Sequence, residues 1–302
     1  MFNNVLELIG NTPLVKLEKF KRYFNLEADI YLKLESKNPG GSIKDRASLY
    51  MINDLLDNNK INKETKLLEA TSGNTGIGLS LISAYYGLNL MIFMPENMSV
   101  ERQKLMTAYH TKLVLTPKEE GMTGAIERCN KYHLDYPNSF IIDQFNNPQN
   151  VLAHYETTGP EIFRDLPNIT HFCCCFGTGG TISGAGKYLK QQNPNIKIIG
   201  GEPSDSPFIT KGYKGSHQLQ GIGAGFKPGI LDTSVIDEIY TITTSEAYDM
   251  ARKLAELEGI LVGISTGANL ALCLKTSLKK GDQVVVINPD GGERYLSTTL
   301  FN

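Results

Sequence analysis

Residues 66–94 read KLLEATSGNTGIGLSLISAYYGLNLMIFM. Lys66 to Ala70 and Leu90 to Met94 are short apolar runs of strand length, and Gly76 to Tyr86 between them has helix length. Two apolar strands joined by a helix form a β-α-β unit, in which the strands run parallel. The same alternation extends both ways. Upstream, Ile30 to Leu34 predicts a strand and Ser42 to Asp57 a helix, since Ile43, Ala47, Met51 and Leu55 repeat every four residues and Ser42 can cap the start. Downstream, helices are expected over 100–109, 124–132, 151–163, 182–189, 245–258 and 268–278, the helix at 245–258 with a capping box of Thr243 and Glu246. Strands are expected over 112–115, 140–143, 171–176, 196–200, 260–263 and 283–287. The chain is therefore an α/β protein with parallel or mostly parallel sheets covered by helices on both faces. Its chemistry belongs in the loops at the carboxyl ends of strands. Ser204 to Pro228 is rich in Gly, Ser and Lys and reads as a long loop.

A length of 302 residues fits about two domains. Lys and Arg number 30 against 32 Asp and Glu, a net charge of −2. That balance argues against nucleic-acid or membrane-surface binding, which favours a basic excess. No apolar run approaches the roughly 20 residues of a bilayer span. The opening MFNNVLELIGNTPL has no secretory pattern, so a cytoplasmic location is expected. Five cysteines, three of them consecutive at 173–175, give no disulfide framework. In a strand they alternate faces, which favours core packing.

Several glycine patterns fail on spacing. Gly263-Ile264-Ser265-Thr266-Gly267 fits a nucleophile elbow, but that chemistry needs a later histidine, and all five histidines precede Ser265. In Gly177-Thr178-Gly179-Gly180 the third glycine of a dinucleotide fingerprint would fall on Ile182. Thr181 to Lys187 lacks the first glycine of a P-loop. The histidines have no metal-ligand spacing, so no metal is expected.

Four features remain. Lys44 follows the pair Gly40-Gly41 and sits in the first turn of a helix, where the positive end of the dipole opposes its charge and favours the neutral amine. Thr71 to Gly76 offers backbone N–H groups and three hydroxyls at a helix start, suited to a carboxylate. Gly177 to Thr181 repeats that arrangement with more glycine, suited to a phosphate. Ser265 opens the last β-α turn. Each alone reads equally as a surface lysine, a capped turn or a helix cap. Together they match the needs of pyridoxal 5'-phosphate: an imine-forming lysine, a phosphate cradle, a partner for the ring nitrogen and a grip on an amino acid.

With these residues in place the sequence resembles the cysteine synthase and cystathionine β-synthase family of fold-type II pyridoxal-phosphate enzymes. The likeness runs from Ile9-Gly10-Asn11-Thr12-Pro13-Leu14 through GGSIKDR, EATSGNTG, Asp143-Gln144-Phe145, Thr158-Gly159-Pro160-Glu161, GTGGT and GIGAGF to Gly292-Glu293-Arg294-Tyr295-Leu296-Ser297-Thr298. It implies that Lys44 forms the Schiff base and acts as general base, that Asn74 bonds the ring hydroxyl, and that Gly177, Thr178, Gly179, Gly180 and Thr181 hold the phosphate. It also places Ser265 at the ring nitrogen. There a neutral hydroxyl, unlike an aspartate, favours elimination over transamination. Thr71, Ser72, Gly73, Thr75 and Gln144 would bind the substrate carboxylate, with Gly221 to Gly225 bordering the site. It further implies two αβα sandwich domains with the cofactor in the cleft: a large one of residues 1–39 plus 146–302, and a mobile small one of residues 40–145. A homodimer is implied, and a serine acetyltransferase is a further candidate partner.

The implied reaction is β-replacement through an aminoacrylate. The expected version joins O-acetylserine and sulfide to give cysteine. The alternative consumes cysteine and releases hydrogen sulfide, with water or a thiol as acceptor. A serine or threonine dehydratase and a non-catalytic homologue are the other readings. If water is the acceptor, Asp232 or Glu202 are carboxylates that would activate it, although Asp232 also reads as a turn or cap.

Overall fold

The strands assort into two sheets, as a computed structural model describing all 302 residues shows. The larger has the order β1 (Leu14–Lys16), β2 (Asp29–Leu34), β10 (Gln283–Asn288), β7 (His171–Cys175), β8 (Lys197–Pro203), β9 (Glu238–Ile242). The smaller has the order β5 (Lys112–Thr116), β4 (Asn89–Pro95), β3 (Lys66–Ala70), β6 (Ser139–Ile141). Every pairing is parallel except β1 with β2, at the edge.

The helices of the small sheet are α2 (Lys44–Asp57), α3 (Asn74–Tyr86), α4 (Val100–Ala108) and α5 (Gly121–Asp135). The remainder are α1 (Glu18–Tyr23), α6 (Pro148–Ala153), α7 (Gly159–Asp165), α8 (Gly180–Gln192), α9 (Phe208–Lys211), α10 (Thr244–Glu258) and α11 (Ile264–Lys275). Continuous apolar runs are what strands covered on both faces require. In β10, Val284 and Val286 pack toward α10 and α11, while Val285 and Ile287 pack toward α7 and α8. In the small sheet, Leu67, Ile92 and Met94 face α2 and α3, and Leu68, Met91 and Phe93 face α5. The three consecutive cysteines obey the same period. Cys173 and Cys175 share one core and Cys174 enters the other, all of them free and buried.

The structure departs from the sequence reading in three places. The helix expected over 151–163 is α6, a π turn over His154–Thr158, and α7. Pro160 has no N–H to continue an α-ladder, so the hydrogen bonding changes register just before it. Residues 260–263 form no strand. Gly259 ends α10 in the left-handed region, α11 already begins at Ile264, and only a bridge from Val262 to Gly291 fits between. Strands β1 and β9 and helices α1 and α9 are additions to the sequence reading; β1, α1 and α9 span only 3, 6 and 4 residues, too few for a periodicity to show.

Candidate active site

The two sheets enclose a cavity of about 700 Å³, within the usual range for small-molecule sites. Two helix starts deliver backbone donors to it. The turn before α3 leaves the N–H groups of Ser72, Asn74 and Thr75 without a protein acceptor, while the Thr75 hydroxyl donates to Gln144 Oε1 at 2.6 Å. Before α8, the N–H groups of Gly177, Thr178, Gly179, Thr181 and Ile182 donate to no protein group. This second turn must be glycine-rich for packing reasons as well. A Cβ on Gly177 would lie 2.4 Å from the Gly221 carbonyl oxygen, and Gly179 has φ +87°. The π turn closes around it, since His154 bonds Thr158 and, through Nε2, the Thr181 hydroxyl.

Lys44 is the first residue of α2 and lines the same cavity. Burial pulls its amine below the ordinary lysine pKa, against the opposing pull of the Cys174 thiol and the Asp290 carboxylate. Two residues on, Arg46 fixes this end of α2 in a buried ion cluster. Its Nε and Nη2 donate to Glu35 at 2.7 and 2.8 Å, and its Nη1 and Nη2 donate to Glu161 at 2.6 and 2.7 Å. Lys33 Nζ adds bonds to Glu161 and to the Thr12 carbonyl. Two cations meet two carboxylates, and both Lys33 and Arg46 are essentially unexposed, at 0% and 1%. The arginine and lysine hold Glu161 down at about 2, against the cost of burial. Asp45, between Lys44 and Arg46, is instead pushed up to about 7, chiefly by burial.

Of the residues predicted for the site, Lys44, Thr71 to Thr75, Gln144, Gly177, Thr178, Gly179, Thr181, Gly221 and Ser265 all line the cavity. Gly180 lies behind the wall, its Cα packed against the Asn150 side chain. Asp232 is not among the residues lining the cavity: it is exposed, and its carboxylate accepts from the Ser234 N–H and hydroxyl, capping a 3-10 turn. Glu202 likewise holds α9 by accepting from the Ile209 and Thr210 N–H groups.

Sequence reasoning missed the clamp on Asn74. Asn74 Nδ2 donates to Asp290 Oδ2 at 2.7 Å, and Arg294 donates to its Oδ1 and to the Gly40 carbonyl. Tyr295 donates its hydroxyl to the same Asp290 oxygen at 2.7 Å. One Asn74 N–H thus stays available to a ligand. Arg102, His217 and Gln220, also on the cavity wall, went equally unnoticed. Arg102 and Gln220 are each other's partners across more than a hundred residues, so no local pattern marks them.

These residues fit pyridoxal phosphate. The unpaired N–H groups before α8 match a phosphate, Lys44 supplies a desolvated amine, and Ser265 supplies a neutral hydroxyl on the wall. A family profile described as pyridoxal-phosphate dependent enzyme matches residues 5–290. A protein named cysteine synthase B from Campylobacter jejuni is 47% identical over 299 residues, covering 98% of each chain. The crystal structure of a cysteine synthase from Entamoeba histolytica superposes with a TM-score of 0.95 at 39% identity, covering all of this chain and 91% of that one. That of a hydrogen sulfide-producing enzyme from Fusobacterium nucleatum superposes at 0.93 with 45% identity, covering 98% and 100%. By sequence, fold and site together, the chain belongs to the cysteine synthase and cystathionine β-synthase family of fold-type II pyridoxal-phosphate dependent enzymes.

Proposed function

We propose that the chain is a cysteine synthase, replacing the acetoxy group of O-acetylserine by sulfide to give cysteine and acetate. The observation that carries this reading is the meeting of a desolvated Lys44 amine with two separate helix-start cradles in one cavity. Pyridoxal phosphate supplies, when bound, an electron-withdrawing ring that acidifies the α-hydrogen of an amino acid. The N–H groups and hydroxyls before α8 hold its phosphate, and Asn74 and Ser265 meet its ring. The turn at Thr71 to Thr75 and Gln144 grip the substrate carboxylate. Burial shifts the Lys44 amine toward its neutral form, which suits Nζ to take the α-proton and return it to the product. Residues 40–145 act as the small closing domain, a reading supported by the contiguous four-stranded sheet with its own core. The enzyme works as a cytoplasmic homodimer.

The likeness to a hydrogen sulfide-producing enzyme favours a second reading, in which cysteine is the donor. The test mixes holoenzyme separately with O-acetylserine and with L-cysteine, follows cofactor absorbance, and assays products. A rapid spectral change with O-acetylserine, then cysteine on adding sulfide, supports synthesis. Sulfide release from cysteine with little use of O-acetylserine supports the second reading. A silent cofactor with both donors rules out β-replacement.

A further inference from the structure

Behind the cavity wall stands a carboxyl group that no cation answers. Glu69, in β3, is buried two residues before the Thr71 to Thr75 turn. It does not line the cavity, but Gln144, which does, lies against it. Glu69 Oε1 accepts from Gln144 Nε2 at 3.5 Å, and the backbone N–H groups of Asp143 and Gln144 face the same carboxyl. Those two N–H groups donate to no backbone carbonyl. Asp143 also holds φ at +56°, uncommon outside glycine, so this turn needs support from beyond itself. Glu69 Oε2 is enclosed without a hydrogen-bond partner. The buried ion pairs of the chain all belong to the Arg46 cluster. The titratable groups that act on Glu69 are Asp143, which opposes its charge, and the Cys129 thiol of α5, itself pushed up to about 12. Across the sheet its neighbour on β4 is Ile92, and α2 and α3 bring apolar side chains to the sheet. A buried carboxyl so placed favours its neutral form.

A primary amide can present either its oxygen or its nitrogen to a ligand. At Gln144, Oε1 accepts from the Thr75 hydroxyl and Nε2 faces Glu69. A hydroxyl donates or accepts, so Thr75 alone does not set the direction of the amide. The Glu69 oxygen accepts from the nitrogen, which leaves the second N–H of Nε2 for a ligand. A negative charge at Glu69 would stand behind the very group that grips a carboxylate, whereas a neutral carboxyl holds the amide without that repulsion. We propose that Glu69 is a positioning residue whose protonated form aims the Gln144 amide at the substrate carboxylate, and whose ionisation weakens amino-acid binding. The inference rests on the β-replacement reading above. Burial lifts Glu69 to about 8, so the loss sets in as pH rises through that value.

Two amino compounds without a leaving group test this: L-norvaline, which carries the carboxylate, and L-norvalinamide, which does not. Each is titrated into holoenzyme at fixed pH, with cofactor absorbance as the readout, and the unmodified enzyme is compared with Glu69→Gln, which cannot ionise. Comparison at one pH cancels the titration of the ligand amine. At pH 6.5 the two proteins should bind norvaline equally. At pH 9.5 the unmodified enzyme should bind it roughly fivefold more weakly than Glu69→Gln, the scale of one partly screened like charge. Norvalinamide should not distinguish them at either pH. Glu69→Leu, which leaves the amide unheld, should weaken norvaline at both pH values and spare norvalinamide. A norvaline ratio that is the same at pH 6.5 and 9.5 would overturn the proposal. So would a Glu69→Leu variant that weakens both ligands by the same factor, which would make Glu69 a general brace of the fold. A cofactor spectrum that responds neither to norvaline nor to O-acetylserine would overturn the reaction and the inference with it. A responsive spectrum with a flat ratio would overturn only the role of Glu69.

Discussion

Arg46 and Arg102 are buried to nearly the same degree, 1% and 4% exposed, in opposite surroundings. Around Arg46 every charge is answered. Glu35 and Glu161 receive forked bonds, Lys33 completes the balance, and Thr12 and Asn38 take up remaining oxygens. Around the cavity the polar groups lack protein partners: two rows of backbone N–H groups, an amine without a salt bridge and a guanidinium whose Nε is enclosed without an acceptor. A buried polar group normally finds a partner inside the protein. Where the N–H groups and the amine do not, in a cavity of ligand size, the missing partner is the ligand. The cluster fixes the end of α2 from which Lys44 projects, so the closed network holds the open one in place.

Separate substitutions should divide the two regions cleanly. The largest effect is expected from Lys44→Ala, which should lower turnover by roughly 10³- to 10⁴-fold, measured as cysteine formation. Its melting temperature should hold or rise, because a desolvated amine is removed; a marked fall would make Lys44 part of the structural network. Arg46→Met leaves two buried carboxylates sharing one cation, Lys33, and should cost about 3–5 kcal/mol in urea unfolding. A loss below about 1 kcal/mol would show the cluster to be dispensable. The cluster should also be acid-sensitive. Because Glu161 is held near 2 when folded, its contribution is present above the ordinary value of 4.5 and disappears as pH falls toward 2.

Glu69, beside Gln144 at 3.5 Å, has the opposite sign, since burial lifts it to about 8. The folded chain then holds a proton that the unfolded chain has released. Stability from this group falls as pH rises from 4.5 to 8, and stays low above that. Glu69→Gln should therefore stabilise the protein at pH 9 by up to a few kcal/mol, with no gain near pH 4. Equal effects at both pH values would refute the raised value. Smallest of all, Asp232→Asn should cost at most about 1 kcal/mol, the scale of a lost cap, with turnover within about twofold. A large loss of turnover would return Asp232 to the chemistry.

The contrast also governs what could be read from sequence. Lys44 and both cradles were legible because each is a local motif, a loop between a strand and a helix start. Ser265 was legible for the same reason. Lys33 was not, since in the run Asp29 to Leu34 a lysine among apolar residues reads as a solvated position, and its partner Glu161 lies far along the chain. Arg102 and Gln220 meet only through the fold. Asp232, a carboxylate near a motif, caps its own turn. The strand period placed the core residues correctly, but the three-residue edge strand β1 carried too few residues to be seen.

The order of strands in the larger sheet has a consequence for how the chain is made. It pairs β2 with β10, with Ile30 opposite Val284, so nearly the whole chain must emerge before the sheet can close. The small sheet uses only residues 66–141, a contiguous stretch that is complete early in synthesis. During translation the small sheet can assemble on its own cores, while β1 and β2 wait with their apolar faces uncovered. The half-built chain is thus most exposed to aggregation at its amino-terminal strands, in the interval between the birth of β2 and the arrival of β10.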